Sequence, residues 1–206
     1  MSTTTVSARR AVTQARLADA AVAVFARKGV PGSTVEEICE KAGFTRGAFY
    51  SNFDSKDELC MAVLSRYAEK NLAVLSSSLD FPNDGQDVLR DRIHDIIALF
   101  SSAVGSDPTT VVAILEITLE ATRNPQLREA YQHVEAAISP ALREMVEQAL
   151  RDHDVTTTIS VNDLIEVTRG VFDSRVLATM ASGRKADIDR MTNQLTTMVL
   201  AFIRPL

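Results

Sequence analysis

Between Thr45 and Lys56 the chain concentrates side chains that could recognise a polyanion. Placed at 100° per residue, Arg46, Gly47, Tyr50 and Ser51 share one side of a short helix, and Phe49 and Phe53 share the other with Thr45. One side is aromatic; the other is polar, small and positively charged. A glycine at the second position of a helix costs roughly 1 kcal/mol against alanine. Gly47 therefore calls for a compensating gain, and close approach of the backbone to another surface supplies one. Lys56 follows in the first turn of the next helix, where a cation opposes the helix dipole. A phosphate partner would offset that cost.

The chemistry that is missing narrows the field. No glycine-rich phosphate loop, nucleophile elbow or HExxH pair occurs. Glu116 and Glu120 stand four apart and could serve as acid and base, but no nucleophile or metal ligand keeps them company, so they read as a solvated or pocket-rim face. His94, His133 and His153 form no cluster, and Cys39 and Cys60 have no paired spacing. Both cysteines fall on helical positions and read as buried thiols of a reducing cytoplasm. The expectation is a non-enzymatic protein with no metal and no cofactor.

The elements that must position the polar side are written into the residues around it. Thr34 with Glu37 has the spacing of a capping box, which starts a helix near Val35. Val35, Ile38, Cys39 and Ala42 then form one apolar face, and Gly43 ends the helix in a left-handed cap. Phe44 sits inside the turn and plugs the angle, while Thr45 caps the second helix. Ser55 with Glu58 repeats the box spacing. Upstream, Thr13 is expected to cap a first helix in which Leu17, Ala21, Val24 and Phe25 recur, ending at Lys28 and Gly29. Residues 1–12, rich in Ser and Thr and carrying Arg9 and Arg10, read as a disordered tail or an arm onto DNA.

Charge divides along the chain. Residues 1–56 hold eight Lys or Arg against five acids, a surplus of +3, and the remainder carries −8, within a total of −5. A basic head on an acidic body is the field that would orient DNA. At 206 residues and 46% apolar, the chain has material for a real core, with no signal-peptide pattern and no run of the roughly 20 apolar residues a membrane span needs. A cytoplasmic location without membrane attachment is expected.

The run AGFTRGAFYSNFDSKDEL (42–59) resembles the helix-turn-helix signature of the TetR family of bacterial transcriptional regulators, with the glycine turn, the Thr-Arg-Gly opening, Tyr50, Phe53 and Lys56 in register. It departs at Phe44, where a smaller aliphatic is commoner, and at Asp54, where proline is common. The resemblance implies an all-α protein: a three-helix head over 1–54 and a body of about six helices over 55–206 for ligand binding and dimerisation. It implies a repressor released from a palindromic operator by a small molecule. Arg46 would then read bases, because guanidinium bridges two acceptors on a guanine edge. Thr34, Thr45, Tyr50, Asn52 and Lys56 would fix register on phosphates, with Gly47 and Ser51 on the same surface. The rival reading is a helical ligand-binding or enzymatic protein that keeps the head as a remnant.

The body is expected to hold helices from 55 to the Ser76–Ser78 run, 87–104, 109–122, 125–152 with a kink at Pro140, 161–182 and 187–203, with a turn at 81–86 and VTTTIS (155–160) as a connection. Ile188, Met191, Leu195, Met198 and Phe202 step by three and four like a seam, and Gly170, Ser174, Ala178 and Ser182 make a row of small residues. Periodicity cannot separate packing inside a subunit from packing between subunits. The resemblance implies a homodimer through these last two helices. It also implies an effector cavity, for which Phe100, Leu115, Leu119, Tyr131, His133 and Phe172 are candidate lining residues.

Overall fold

The computed structural model describes residues 2–79, 89–105, 107–184 and 187–206. In order, the elements are α1 (Ser2–Lys28), α2 (Val35–Ala42), α3 (Arg46–Tyr50), α4 (Lys56–Leu79), α5 (Leu89–Gly105), α6 (Pro108–Ala121), α7 (Pro125–Asp152), β1 (Val155–Thr157), α8 (Val161–Ala181), α9 (Ile188–Phe202) and β2 (Ile203–Pro205). The helical architecture expected from the sequence is present, as nine helices among the described residues. The turn expected at 81–86 lies outside them.

The chain packs as two compact units, Met1–Ala68 with Val112–Ala136 and Glu69–Val111 with Ala137–Leu206. In the first, Leu17, Ala21, Val24 and Phe25 of α1 meet Ile38, Phe49 and Phe53 from the hairpin, and Leu59, Ile117 and Leu127 complete the core. Truncating a fully buried Phe such as Phe49 (0% exposed) would remove about 3–5 kcal/mol. Helix ends follow the polar residues that cap them. Asn124 Oδ1 accepts from the Gln126 and Leu127 amides at 3.0 and 3.2 Å, and its Nδ2 donates to Asp57 at 2.9 Å, which fastens the start of α7 to the start of α4.

The N-terminus departs from expectation. Helix α1 begins at Ser2, so residues 2–12 are neither tail nor loop, and Thr13 lies inside the helix with its hydroxyl donating to the Arg9 carbonyl at 3.0 Å. Nothing among Ala8, Arg9, Arg10, Ala11 and Val12 interrupts a helix. Gly29 (φ 71°) ends it as foreseen.

In the second unit α5 lies along α9, which also packs on α8. Ile97, Phe172, Val176, Met191 and Leu195 are buried there, together with the hydroxyl-bearing Ser101, Thr192 and Thr196. Helix α7 runs on through Pro140. Residues 155–157 are a strand, not a connection: β1 pairs antiparallel with β2, Val155 opposite Pro205 and Thr157 opposite Ile203. The partner was hidden because the last helix was expected to run to 203, where β2 begins. Proline at 205 pushes Arg204 into extended backbone and lacks the amide a helix would use, so α9 stops at Phe202 and the tail becomes an edge strand.

Candidate nucleic-acid interface

The capping box of α2 is complete. The Glu37 amide donates to Thr34 Oγ1 and the Thr34 amide to Glu37 Oε2, both at 3.2 Å. Lys28 bonded to Glu37, with the Thr34 amide second, holds that carboxyl below the usual carboxylate range. Gly43 adopts φ 71°, and the Phe44 amide returns to the Cys39 carbonyl at 2.9 Å. Arg16 of α1 clamps this turn from outside: Nη2 donates to the Ala42 carbonyl at 2.9 Å and the guanidinium lies 4.7 Å from the Phe44 ring centroid. Phe44 is half-buried beneath it.

Helix α3 starts at the Thr45 cap, whose Oγ1 accepts from the Ala48 amide at 3.2 Å. It is five residues long, too short to include the Phe53 that helical spacing placed beside Phe49, and closes with turns that bring the Phe53 amide to the Phe49 carbonyl. Phe49 and Phe53 are buried, 5.8 Å apart. On the opposite side Arg46, Gly47, Tyr50 and Ser51 are exposed; Thr45, placed with Phe49 by helical spacing, is exposed too at the N-cap of α3, as is Thr34 at the N-cap of α2. Arg46 Nη1 sits 2.7 Å from Glu36 Oε1 with its guanidinium 5.8 Å from the Tyr50 ring centroid. The bond to Tyr50, then the Glu36 charge, raise its already high pKa. A Cβ built on Gly47 would meet only Thr45 Oγ1, at 3.7 Å. Nothing inside the protein demands glycine there.

Two expected contacts are turned inward. Asn52 is buried: its Nδ2 donates to the Ala48 carbonyl (2.8 Å) and to Ser51 Oγ (3.2 Å), so its amide closes α3 instead of facing outward. Lys56 Nζ donates to the carbonyls of Val30 (2.6 Å) and Ser33 (3.0 Å). These two acceptors, not a phosphate, offset the cost of a cation at the start of α4, and they leave one ammonium proton unused. Glu58 reaches the Asp54 amide at 2.5 Å, one residue short of the box partner foreseen.

A buried aromatic face, a glycine-capped turn and an exposed basic helix stand in one frame at 34–56. Residues 17–63 match the family described as bacterial regulatory proteins, tetR family, and residues 84–203 match the tetracyclin repressor-like C-terminal domain. The chain belongs to the tetR family. The HTH-type transcriptional regulator UidR of Escherichia coli strain K12 is 24% identical over 163 residues, 77% of this chain and 79% of that protein. The HTH-type nicotine-responsive transcriptional repressor HdnoR of Paenarthrobacter nicotinovorans is 32% identical over 131 residues, 62% of this chain and 66% of its own. Among solved structures, the FadR regulator of Bacillus subtilis in complex with stearoyl-CoA has a TM-score of 0.72 at 17% identity, covering 90% of this chain and 97% of that one. That likeness extends the tetR fold to nearly the whole chain.

The candidate lining residues of the tetR-type cavity are divided between the two compact units. Leu119 and His133 are exposed, and Leu115 and Tyr131 are half-buried, Tyr131 packing on the core of the first unit. Phe172 is buried in the second unit. The side chain of Phe100 lies outside the described residues. A hollow of about 710 Å³ lies between α8 and α9 and is lined by other residues, among them Arg175, Asp187, Arg190 and Asn193. None of its lining residues is buried, so it is a surface groove. Sequence reasoning missed the buried hydroxyls of the second unit: Thr196 Oγ1 donates to the Thr192 carbonyl at 2.8 Å, while Ser101 Oγ and Thr192 Oγ1 have no partner among the described residues. Threonine at α9 positions between the seam residues was the signal available. Burial pushes the Cys60 thiol up to about 12, with the Asp57 charge second, so it is inert at neutral pH.

The terminal helices separate into two cases. Met191 and Leu195 of α9 are buried within the chain and Met198 and Phe202 are half-buried, so this seam packs largely inside the second unit. Gly170, Ser174 and Ala178 of α8 are exposed, and a Cβ on Gly170 would meet nothing within 4 Å. Val167, Leu177 and Met180 on the same helix are exposed at 42, 43 and 42%. Among the described residues no helix is long and apolar enough to cross a membrane, and no cluster of metal-binding side chains occurs.

Proposed function

We propose that this chain is a sequence-specific transcriptional repressor of the cytoplasm that leaves a palindromic operator when a small molecule binds its body. The observation that carries the reading is the two-sided α3: a fully buried Phe49 on one side, and on the other an exposed Arg46 and a glycine that no internal contact requires. In this reading α3 enters the major groove and Arg46 reads a base, while Thr34, Thr45, Tyr50 and Ser51 position the head on phosphates. Lys56 has one proton left for a phosphate and otherwise couples α4 to the α1–α2 loop. DNA recognition belongs to residues 1–54 and effector response to 55–206.

Dimerisation through α8 follows from its unpartnered apolar row and open Gly170, the surface a second copy would cover. Two heads then face two half-sites about one helical turn, or a multiple, apart. Response to a small molecule is supported by the nicotine-responsive relative and by the stearoyl-CoA complex of a fold neighbour; neither molecule is assigned here. Release needs only a ligand that prefers the conformer with badly spaced heads, and it shifts the population by its differential affinity and no further. The test is a gel shift with the DNA upstream of the chain's own coding sequence. Tight binding that weakens steeply with salt is the expected result. Absence of any preference across a randomised DNA library would overturn the reading.

A further inference from the structure

Helix α3 does not fix its own direction. It is five residues long, about 7.5 Å, too short to hold as an isolated helix. Phe49 and Phe53 beneath it are buried, but apolar burial is non-directional: it sets how deep α3 sits and leaves its heading free. Direction must come from hydrogen bonds at its two ends, and α1 makes one at each. Arg16 Nη2 donates to the Ala42 carbonyl at 2.9 Å, ahead of α3, and Gln14 Nε2 donates to the Asn52 carbonyl at 3.3 Å, behind it. The two donors stand two residues apart on α1, on either side of the fully buried Leu17, so they reach round opposite flanks of one helix.

At the Arg16 end the grip has two points. The guanidinium also lies 4.7 Å from the Phe44 ring centroid, and its Nη2 is 3.5 Å from where a Cβ on Gly43 would stand. One planar group thus holds the residues before and after the left-handed Gly43, the pivot between α2 and α3. A smaller aliphatic at position 44 would offer it no ring face. Arg46 begins α3 two residues after Phe44, so a rotation at Gly43 carries its guanidinium off line, and a bidentate pair tolerates little misalignment. We propose that Arg16, with Gln14 as its counterpart, is a positioning residue for base recognition: it sets the angle at which α3 presents Arg46 and so governs sequence choice without contacting DNA itself. This role presupposes that α3 enters the major groove, as proposed above.

The test titrates the full chain, as wild type, Arg16→Ala, Arg16→Lys and Gln14→Ala, onto the best site selected from a randomised library and onto mixed-sequence DNA over a range of salt. Arg16→Ala should lower affinity for the selected site about five- to fiftyfold, within the reach of one bidentate base contact, while mixed-sequence binding and the slope of log K against log salt stay as in wild type. Gln14→Ala should show the same pattern with a smaller loss, about two- to fivefold, for its single hydrogen bond. Arg16→Lys keeps the charge and a donor for the Ala42 carbonyl but has no plane to lay on Phe44, so it should recover only part of the sequence preference. In a Phe44→Leu background Arg16→Ala should cost less than in wild type, because the ring it grips is already gone. The Arg16 side chain is otherwise exposed, and salt separates the alternative: equal losses on both DNAs with a slope smaller by about 0.9 would make it a phosphate contact and overturn the positioning role. A lower melting temperature with an unchanged ratio of selected-site to mixed-sequence affinity in the folded fraction also overturns it, leaving Arg16 a stabilising residue only. A wild type that selects no sequence would instead remove the major-groove reading of α3, and the positioning role with it.

Discussion

The hairpin at 34–53 and the helix at 161–181 both present one side to solvent, and the two sides differ in kind. Around α3 the large apolar groups are withdrawn: Phe49 and Phe53 are buried, and what remains outside is Thr45, Arg46, Gly47, Ser51 and the edge of Tyr50. Along α8 the apolar groups stay out: Val167, Leu177 and Met180 are each more than 40% exposed around an open Gly170. A finished apolar core with a polar cationic rim suits a charged, hydrated partner. An unfinished apolar row suits a protein surface that excludes water. The contrast is the ground on which DNA is proposed for one and a second copy for the other, and each half of that proposal can be broken separately.

The largest effect is expected at α8. Gly170→Leu adds a side chain where the chain itself offers no contact, so the fold should survive while close approach of a second helix is blocked. Light scattering should show monomers, and operator affinity should fall by a hundredfold or more, since two heads no longer bind as one (on the order of 10²–10⁴ for linked sites). A variant that remains dimeric would take Gly170 out of the interface.

Arg46→Ala comes next. Its pair with Glu36 is exposed, and exposed pairs contribute little to folding, so the melting temperature should hold. Operator affinity should drop by roughly ten- to a hundredfold, with mixed-sequence DNA much less affected, if the guanidinium reads a base. Equal losses on both DNAs would demote Arg46 to a phosphate contact.

Two glycines sharpen the comparison inside the first unit. Gly29 is left-handed at φ 71°, and a Cβ there would come 3.0 Å from Glu116 Oε2; Gly29→Ala should cost about 1–2 kcal/mol of stability and leave DNA binding by the folded fraction intact. Gly47 has no such constraint. Gly47→Ala should raise stability by up to about 1 kcal/mol and weaken DNA binding, because the added methyl stands where the groove wall must come. If Gly47→Ala bound operator as tightly as wild type, close backbone approach would not explain the glycine.

Local signals were the legible ones. Thr34 with Glu37, Gly43, Thr45 and the buried Phe49 and Phe53 each act within a few residues, so their spacing announced caps, turns and faces that the structure repeats. What the sequence hid depends on residues far apart. Lys56 looked like a free cation because its two acceptors, Val30 and Ser33, lie over twenty residues upstream. Residues 155–157 lacked a strand partner until the chain returned at 203–205. The α9 seam and the α8 row are both written at helical spacing, and only burial shows that Met191 and Leu195 face inward while Leu177 faces out. The apolar character that nominated Leu119 and Phe172 as cavity lining does not report burial either: Leu119 is exposed and Phe172 buried.

The smallest expected effect tests the polarity of the DNA side itself. Glu36 stands beside Arg46 on the exposed surface, its carboxylate 2.7 Å from the guanidinium. In free protein it holds that guanidinium; in a complex it is a negative charge close to phosphates. Glu36→Gln removes the repulsion and frees Arg46 at once, so mixed-sequence affinity should rise about two- to fivefold at low salt, as one screened charge near the surface allows. The operator should gain less, because Arg46 is already committed to its base there. The specificity ratio would fall even as binding tightens. An unchanged affinity on both DNAs would place Glu36, and with it the outer side of α2, away from the duplex.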